Sequence, residues 1–151
     1  MDLLTLTAGR YIRVGLRAGS KVEAIEQLLD CLLDEGALAA PARSDVLDAI
    51  LEREQRLSTG LEHGIAIPHG TTRHVERETA ALGIFPEGVP FETVDGRVPQ
   101  IVILLITPKA RRDRHVTNLA ALARQLMLPA VRARLLEAAT PNEALAAIEG
   151  V

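Results

Sequence analysis

Three histidines lie close together in the sequence, and histidine is the side chain best suited to acid–base, nucleophilic or metal chemistry near neutral pH. They are His63, His69 and His74, spaced six and five residues apart. A zinc site draws on regularly spaced histidines, cysteines or carboxylates. No thiolate or carboxylate completes such a pattern around these three. We therefore expect no metal and no cofactor to be bound here.

His69 differs from the other two because it lies in the tripeptide Pro68-His69-Gly70, directly after the apolar run from Ile65 to Ile67. Proline cannot donate to a sheet, so Pro68 is predicted to end a strand. Gly70 has no Cβ and would permit close approach from outside. A neutral imidazole held at a strand end can act as a nucleophile. On these local features alone, a structural role in a loop is the alternative.

Several common chemistries have no support in the sequence. It contains neither G-x-x-x-x-G-K-[ST] nor G-x-G-x-x-G, so nucleotide binding by these routes is not predicted. C-x-x-C and H-E-x-x-H are also absent. The net charge of -3 is modest, and there are only one tyrosine and two phenylalanines. These features argue against a dedicated nucleic-acid binder, which needs basic patches or stacking aromatics.

The length of 151 residues fits one domain over residues 1–151, with an aliphatic core. The one cysteine, Cys31, excludes an internal disulfide and is expected to be a small buried hydrophobe. The longest apolar run, Ile101 to Ile106, is too short to span a bilayer. The first residues do not match a secretory signal. Together these features predict a cytoplasmic protein.

Hydrophobic periodicity predicts alternating helices and strands. The predicted helices run from Ser20 to Gly36, from Ser44 to Arg56, from Asp113 to Leu128, from Pro129 to Ala138, and onward from Thr140. The predicted strands are Tyr11 to Leu16, Ile65 to Ile67, Thr79 to Phe85 and Gln100 to Pro108. The last of these is apolar without interruption, which is typical of a strand covered on both faces. The pattern therefore predicts an α/β sandwich, with strand order left open.

Three stretches of the chain together resemble one known family. The run REQRLSTGLEHGIAIPHG, Arg53 to Gly70, resembles the signature of the mannitol/fructose-type IIA domains of the bacterial phosphotransferase system. That family includes the nitrogen-regulatory IIA proteins. SKVEAIEQLLDCLLDEGAL is similar to its first helix, and IVILLITPKARRDRHVTNLAALARQL to its central strand, loop and histidine-bearing helix. The resemblance covers nearly the whole chain and implies a single-domain sandwich with a mixed β-sheet flanked by helices.

The resemblance also implies roles for particular residues. His69 matches the phosphoryl acceptor, Arg53 the arginine that stabilises the phosphoryl group, and His115 the second histidine beside the acceptor. Thr59 is added as a candidate hydroxyl donor to the site. Without the resemblance, Arg53 would be a solvated helix-end residue and His115 a solvent-facing residue in a first helical turn. Gly70 is expected to keep the approach to His69 open for a phosphoprotein.

The implied function is that of a phosphoryl carrier, a phosphotransferase. It would accept phosphate from phosphorylated HPr or an HPr-like protein and pass it to a IIB domain, without nucleic acid or membrane insertion. One alternative is a regulatory module whose phosphorylation switches protein partners. Another is an anion-transporter-type cytoplasmic binding domain without phosphoryl chemistry, against which the intact Arg53, His69 and His115 argue. The strongly basic loop from Lys109 to His115 is a candidate determinant of partner choice.

Overall fold

The computed structural model describes residues 2–149, and for residues 112–116 it describes the backbone only. The helices are α1 Leu3–Leu6, α2 Lys21–Asp34, α3 Arg43–Arg56, α4 His115–Leu126, α5 Pro129–Glu137 and α6 Pro141–Glu149. The strands are β1 Ile12–Arg13, β2 Ile65–Ala66, β3 His69–Thr72, β4 Thr79–Ile84 and β5 Ile101–Pro108. Short 3-10 segments lie at Ala40–Ala42 and Lys109–Arg114. Within residues 2–149, no helix has the length and apolar character needed to cross a membrane.

The strands form one mixed sheet in the order β1-β4-β5-β2, with β3 also paired to β5. β4 and β5 are antiparallel, whereas β1 runs parallel to β4, and β2 and β3 run parallel to β5. This arrangement confirms the predicted mixed α/β architecture.

β5 carries the core on both faces of the sheet, and all eight of its residues are buried. Its odd-numbered side chains from Ile101 to Leu105 pack with α1, α4, α5 and α6. Its even-numbered side chains from Val102 to Ile106 pack with α2 and α3. The period of two along a strand separates these two layers. The prediction of a strand covered on both faces is therefore confirmed.

Local capping explains where two of the helices begin. Ser20 Oγ accepts a hydrogen bond from the Glu23 N–H at 3.1 Å, and the Glu23 carboxylate accepts from the Gly19 N–H at 3.0 Å. Thr140 Oγ1 accepts from the Glu143 N–H at 3.2 Å. The Ser20 and Thr140 contacts each satisfy a backbone donor that the first helical turn leaves unpaired, and the Glu23 contact ties the residue before the N-cap to that turn. The predicted starts of α2 and α6 are confirmed to within a residue.

Other boundaries differ from the prediction. The strand expected over residues 11–16 is limited to Ile12–Arg13, because Gly15 has a φ of +65° that departs from extended backbone. The helix expected from Asp113 begins at His115, after the 3-10 segment that follows β5. α1 was not predicted, since four residues are too few to show a helical period.

The most consequential difference concerns Pro68. β2 and β3 lie along the same line and pair with β5 in the same register, Ile65 opposite Ile101 and His69 opposite Leu105. The Pro68 carbonyl accepts from the Leu105 N–H at 2.9 Å. Because β2 and β3 form the edge of the sheet, the missing proline N–H is tolerated there. Pro68 therefore interrupts the edge without turning the chain out of the sheet, and His69 begins β3 instead of a loop.

Gly83 in β4 is a point of close approach between the sheet and α2. A Cβ at this position would lie 2.7 Å from Leu28 Cδ2 and 2.8 Å from Phe85 Cε1, both in the buried core. We expect Gly83→Ala to lower the free energy of unfolding by about 1–3 kcal/mol through overpacking, measured by urea denaturation. Gly19→Ala is the control, because its Cβ would first meet Glu23 Oε2 at 3.6 Å. Equal unfolding midpoints for the two variants would contradict this account.

Cys31 lies on the buried face of α2 with 2% exposure, as its position in the periodic pattern predicted. Burial raises the pKa of its thiol to about 11. The thiolate is therefore scarce at neutral pH, and Cys31 packs as a small apolar side chain.

Candidate functional site

His69 is the first residue of β3 and is 9% exposed, and its ring bonds to the backbone two residues earlier. Its Nδ1 lies 2.7 Å from the Ile67 carbonyl oxygen. A carbonyl can only accept, so Nδ1 carries the hydrogen in this arrangement. In the neutral ring the lone pair is then on Nε2. The local structure thus selects the tautomer in which Nε2 is the nucleophilic nitrogen.

A cavity of about 340 Å³ opens beside this histidine. Its described lining comes from β3, from α3 and from the residue that follows β5: His69, Gly70, Thr71, Ala49, Glu52, Arg53, Arg56 and Lys109. Among these residues are three cationic side chains and one carboxylate. The balance of charge favours an anion in the cavity, and guanidinium groups match phosphate oxygens especially well.

The two arginines lie three residues apart near the C-terminus of α3, and so share a face of the helix. Arg53 Nη1 donates to the Leu57 carbonyl at 2.9 Å, just beyond the last helical residue. This contact leaves other N–H groups of the guanidinium to interact with an anion. Arg56 forms an ion pair with Glu52 at 2.8 Å. Basic side chains in a last helical turn also interact favourably with the helix dipole.

Gly70 serves a different purpose from the one expected. A Cβ on this residue would lie 3.3 Å from Ile50 Cγ1 and 3.5 Å from the Ile50 backbone nitrogen. The space that glycine leaves is therefore filled by α3, and not kept open for a molecule approaching from outside. Close packing of α3 against β3 brings Arg53 to the same cavity as His69.

Thr59 is buried and is not among the residues that line the cavity. Its hydroxyl donates to Glu54 Oε1, and its N–H donates to Glu54 Oε2 at 2.9 Å. Glu54 is itself 3% exposed and lies 3.7 Å from Lys21 Nζ. Lys21 also bonds to Glu92 at 3.0 Å, and this hydrogen bond lowers the pKa of the Glu92 carboxyl.

The other two histidines of the initial cluster have partners elsewhere. The His63 N–H donates to Asp95 at 2.9 Å, and this bond holds the pKa of that carboxyl below its usual range. His74 Nε2 lies 3.1 Å from Asp45 Oδ2. Both imidazoles are about 40% exposed, and neither lines the cavity beside His69. Among the side chains that the structure describes, no group of three or more His, Cys, Asp or Glu residues could hold a metal ion.

The predicted role of His115 falls on a side chain outside the described residues. Its backbone begins α4, which follows the 3-10 segment Lys109–Arg114 at the end of β5. The expectation that its imidazole meets that of His69 therefore stays a prediction.

Sequence reasoning did not place Arg56, Lys109 or Glu54 in or beside the site, although it singled out the loop that begins at Lys109. The spacing between Arg53 and Arg56 was a usable signal, because residues three apart share a helical face. Lys109 belongs to the basic loop and comes directly after β5, so its position was also open to inference. Glu54 gave no signal, since a glutamate between two arginines on a helix is normally solvated.

Comparison with known proteins gives a consistent result. Residues 5–151 match the family model described as "Phosphoenolpyruvate-dependent sugar phosphotransferase system, EIIA 2". A fructose-specific EIIA component of Haloferax volcanii is 37% identical over 137 residues, covering 91% of this chain and 88% of that protein. By contrast, the chain spans 21% of the length of a Bacillus subtilis fructose-specific EIIABC component, to which it is 31% identical over 91% of its own length.

Two solved structures share the fold over nearly their whole length. The nitrogen regulatory protein IIA-Ntr from Neisseria meningitidis superposes with a TM-score of 0.82 at 28% identity, covering 95% of this chain and 97% of that one. The complex of enzyme IIAMTL and phosphorylated enzyme IIBMTL from Escherichia coli gives a TM-score of 0.76 at 26% identity, with coverage of 97% and 98%. The resemblance drawn from the sequence is thereby confirmed. The chain belongs to the phosphoenolpyruvate-dependent sugar phosphotransferase system EIIA 2 family.

Proposed function

We propose that His69 is the residue on which this chain carries a phosphoryl group. The observation that supports the proposal best is the hydrogen bond from Nδ1 to the Ile67 carbonyl, which leaves the neutral-ring lone pair on Nε2. The second support is the cavity beside it, which is lined by Arg53, Arg56 and Lys109. Phosphoryl transfer to a histidine requires a nucleophilic ring nitrogen and nearby cationic side chains that stabilise the phosphoryl oxygens.

The transfer step is a displacement at phosphorus. The Nε2 lone pair of His69 forms a P–N bond, and the P–N bond to a phosphohistidine donor breaks, so that the donor nitrogen recovers its electron pair. Arg53 stabilises the charge on the phosphoryl oxygens, assisted by Arg56 and Lys109. His115 is proposed to support the transfer. Thr59 is proposed to act indirectly, through its bonds to Glu54.

The proposed donor is phosphorylated HPr or an HPr-like protein, and the proposed acceptor is a IIB domain. Two kinds of relative support this choice: multiphosphoryl transfer proteins, such as that of Escherichia coli O157:H7, and an enzyme IIA solved with phosphorylated enzyme IIB. We further propose that residues 1–151 act as one cytoplasmic domain of this cascade.

Incubation of the chain with phosphoenolpyruvate, enzyme I and HPr tests the proposal, with intact mass as the readout. We expect a gain of one phosphoryl group that is labile in acid and stable in base, because a P–N bond breaks readily once the ring is protonated. Omission of HPr is the control and should leave the mass unchanged. An unmodified chain in the complete mixture would contradict the proposed function.

A regulatory function is the second candidate. It is favoured by the likeness to IIA-Ntr from Neisseria meningitidis and to a nitrogen regulatory protein of Bradyrhizobium diazoefficiens, 29% identical over 126 residues. In that case the same histidine is phosphorylated, and the modification changes affinity for a partner. Passage of the phosphoryl group from the labelled chain to a purified IIB domain favours the carrier, whereas its retention favours the regulator.

A further inference from the structure

We propose that Glu54 is a positioning residue for the His69 imidazole. It acts through hydrogen bonds that connect it to residues 58–60, these residues to Ile67, and Ile67 to the ring. The inference concerns the orientation and tautomer of the ring, and its kinetic consequence rests on the function proposed for His69. We call residues 58–60 the strap.

The first link is a buried carboxylate. Glu54 is 3% exposed, and burial of an ionised carboxylate is costly unless it is paired and hydrogen-bonded. Here the carboxylate accepts from both the hydroxyl and the N–H of Thr59, and Lys21 Nζ lies 3.7 Å away. The contacts of Glu54 therefore serve to hold the strap.

The second link is the pairing of the strap with the edge of the sheet. The Thr59 carbonyl accepts from the Ile67 N–H at 3.1 Å, and Gly60 forms an antiparallel bridge with Ala66. On its other side, Ser58 Oγ donates to the Glu92 carbonyl at 2.7 Å. A Cβ on Gly60 would lie 2.2 Å from that same oxygen, so only glycine fits there. The strap is thus held from both sides.

The third link reaches the imidazole. Ile67 donates its N–H to Thr59, and its carbonyl accepts from His69 Nδ1. The next residue, Pro68, accepts from the Leu105 N–H at 2.9 Å but has no N–H of its own to donate between β2 and β3. A shift of Thr59 would therefore move the Ile67 carbonyl and weaken the bond that selects the Nδ1–H tautomer.

Two substitutions at Glu54 separate positioning from charge. Glu54→Ala removes both acceptors for Thr59. Glu54→Gln keeps an oxygen for the Thr59 N–H, and its amide can donate to the Thr59 hydroxyl, while the charge opposite Lys21 is lost. If hydrogen bonding positions the ring, glutamine should restore most of what alanine removes.

The experiment combines nitrogen-15 NMR of the His69 ring, taken at the alkaline end of its titration, with rates of phosphorylation over a range of HPr concentrations. In the wild type we expect the Nδ1–H tautomer to dominate. In Glu54→Ala we expect a mixture of tautomers. The rate at saturating HPr should fall about tenfold, the scale of one hydrogen bond, while the apparent KM stays within about twofold. Glu54→Gln should recover the wild-type tautomer and most of the rate.

Gln55→Ala is the matched control, because Gln55 is an exposed neighbour on the same helix, and it should match the wild type in both readouts. If Glu54→Ala does not fold, Thr59→Val replaces it, since it removes only the hydroxyl link and should shift the tautomer partly. A wild-type tautomer in the folded variant, or equal losses in Glu54→Ala and Glu54→Gln, would overturn the proposal. If the wild type takes up no phosphate, the proposed function fails, and the NMR comparison still decides the role of Glu54.

Discussion

His69→Ala is expected to take up no phosphoryl group under conditions that label the wild-type chain completely. The substitution removes the nitrogen that would form the P–N bond. We therefore expect the reaction to be abolished, and not only slowed. His69 lines the cavity with Arg53, Arg56 and Lys109, whereas His63 and His74 do not. No described histidine can therefore take its place in that cavity. The measurement is intact mass after incubation with phosphoenolpyruvate, enzyme I and HPr.

His63→Ala and His74→Ala are the matched controls, and both should be labelled like the wild type. Their imidazoles are about 40% exposed and lie next to Glu62 and Asp45 respectively, and neither lines the cavity beside His69. His69→Ala must first be shown to be folded, for example by its far-UV circular dichroism. Any labelling that survives in folded His69→Ala would assign the phosphoryl group to another residue.

The sequence made the central strand and the starts of α2 and α6 predictable because each depends on local chemistry. An unbroken apolar run can be buried only between two layers, and β5 is buried throughout. Ser20 and Thr140 bond to backbone N–H groups three residues ahead, which is visible in the order of residues alone. The Pro-His-Gly context made His69 a candidate, and the resemblance gave it the role of acceptor, whereas Arg53 was selected by the resemblance alone.

The remaining features depend on contacts that are distant in sequence or that cross an interruption. β3 escaped prediction because Pro68 signals the end of a strand, and only the shared register with β5 shows that pairing resumes at His69. The role of Gly70 required the position of Ile50 on α3, twenty residues earlier. Glu54 looked like a solvated helix residue until the fold placed Thr59 beside it. Such arrangements come from tertiary packing, which local sequence patterns do not encode.

Arg53→Ala is expected to be folded and to be phosphorylated on His69, but roughly ten- to a hundredfold more slowly than the wild type. In the structure Arg53 donates to the Leu57 carbonyl at the C-terminal end of α3 and lines the cavity beside His69. Its remaining N–H groups can stabilise the phosphoryl oxygens, and loss of such a charge-assisted interaction costs about 1.5–3 kcal/mol. The measurement is the single-turnover rate of mass gain at saturating phosphorylated HPr.

Arg43→Ala is the charge-matched control on the same helix. Arg43 forms ion pairs with Asp30 and Glu26 at the opposite end of α3, away from the cavity. Its loss removes the same charge and two partly exposed ion pairs, so stability should change by no more than about 1 kcal/mol for each pair while the transfer rate stays at the wild-type value. If the two variants slow transfer equally, Arg53 acts only through the overall charge of the protein, which changes how fast the phosphorylated donor binds. If Arg53→Ala transfers at the wild-type rate, its guanidinium only caps the end of α3, and stabilisation of the phosphoryl group must come from other cationic residues of the site.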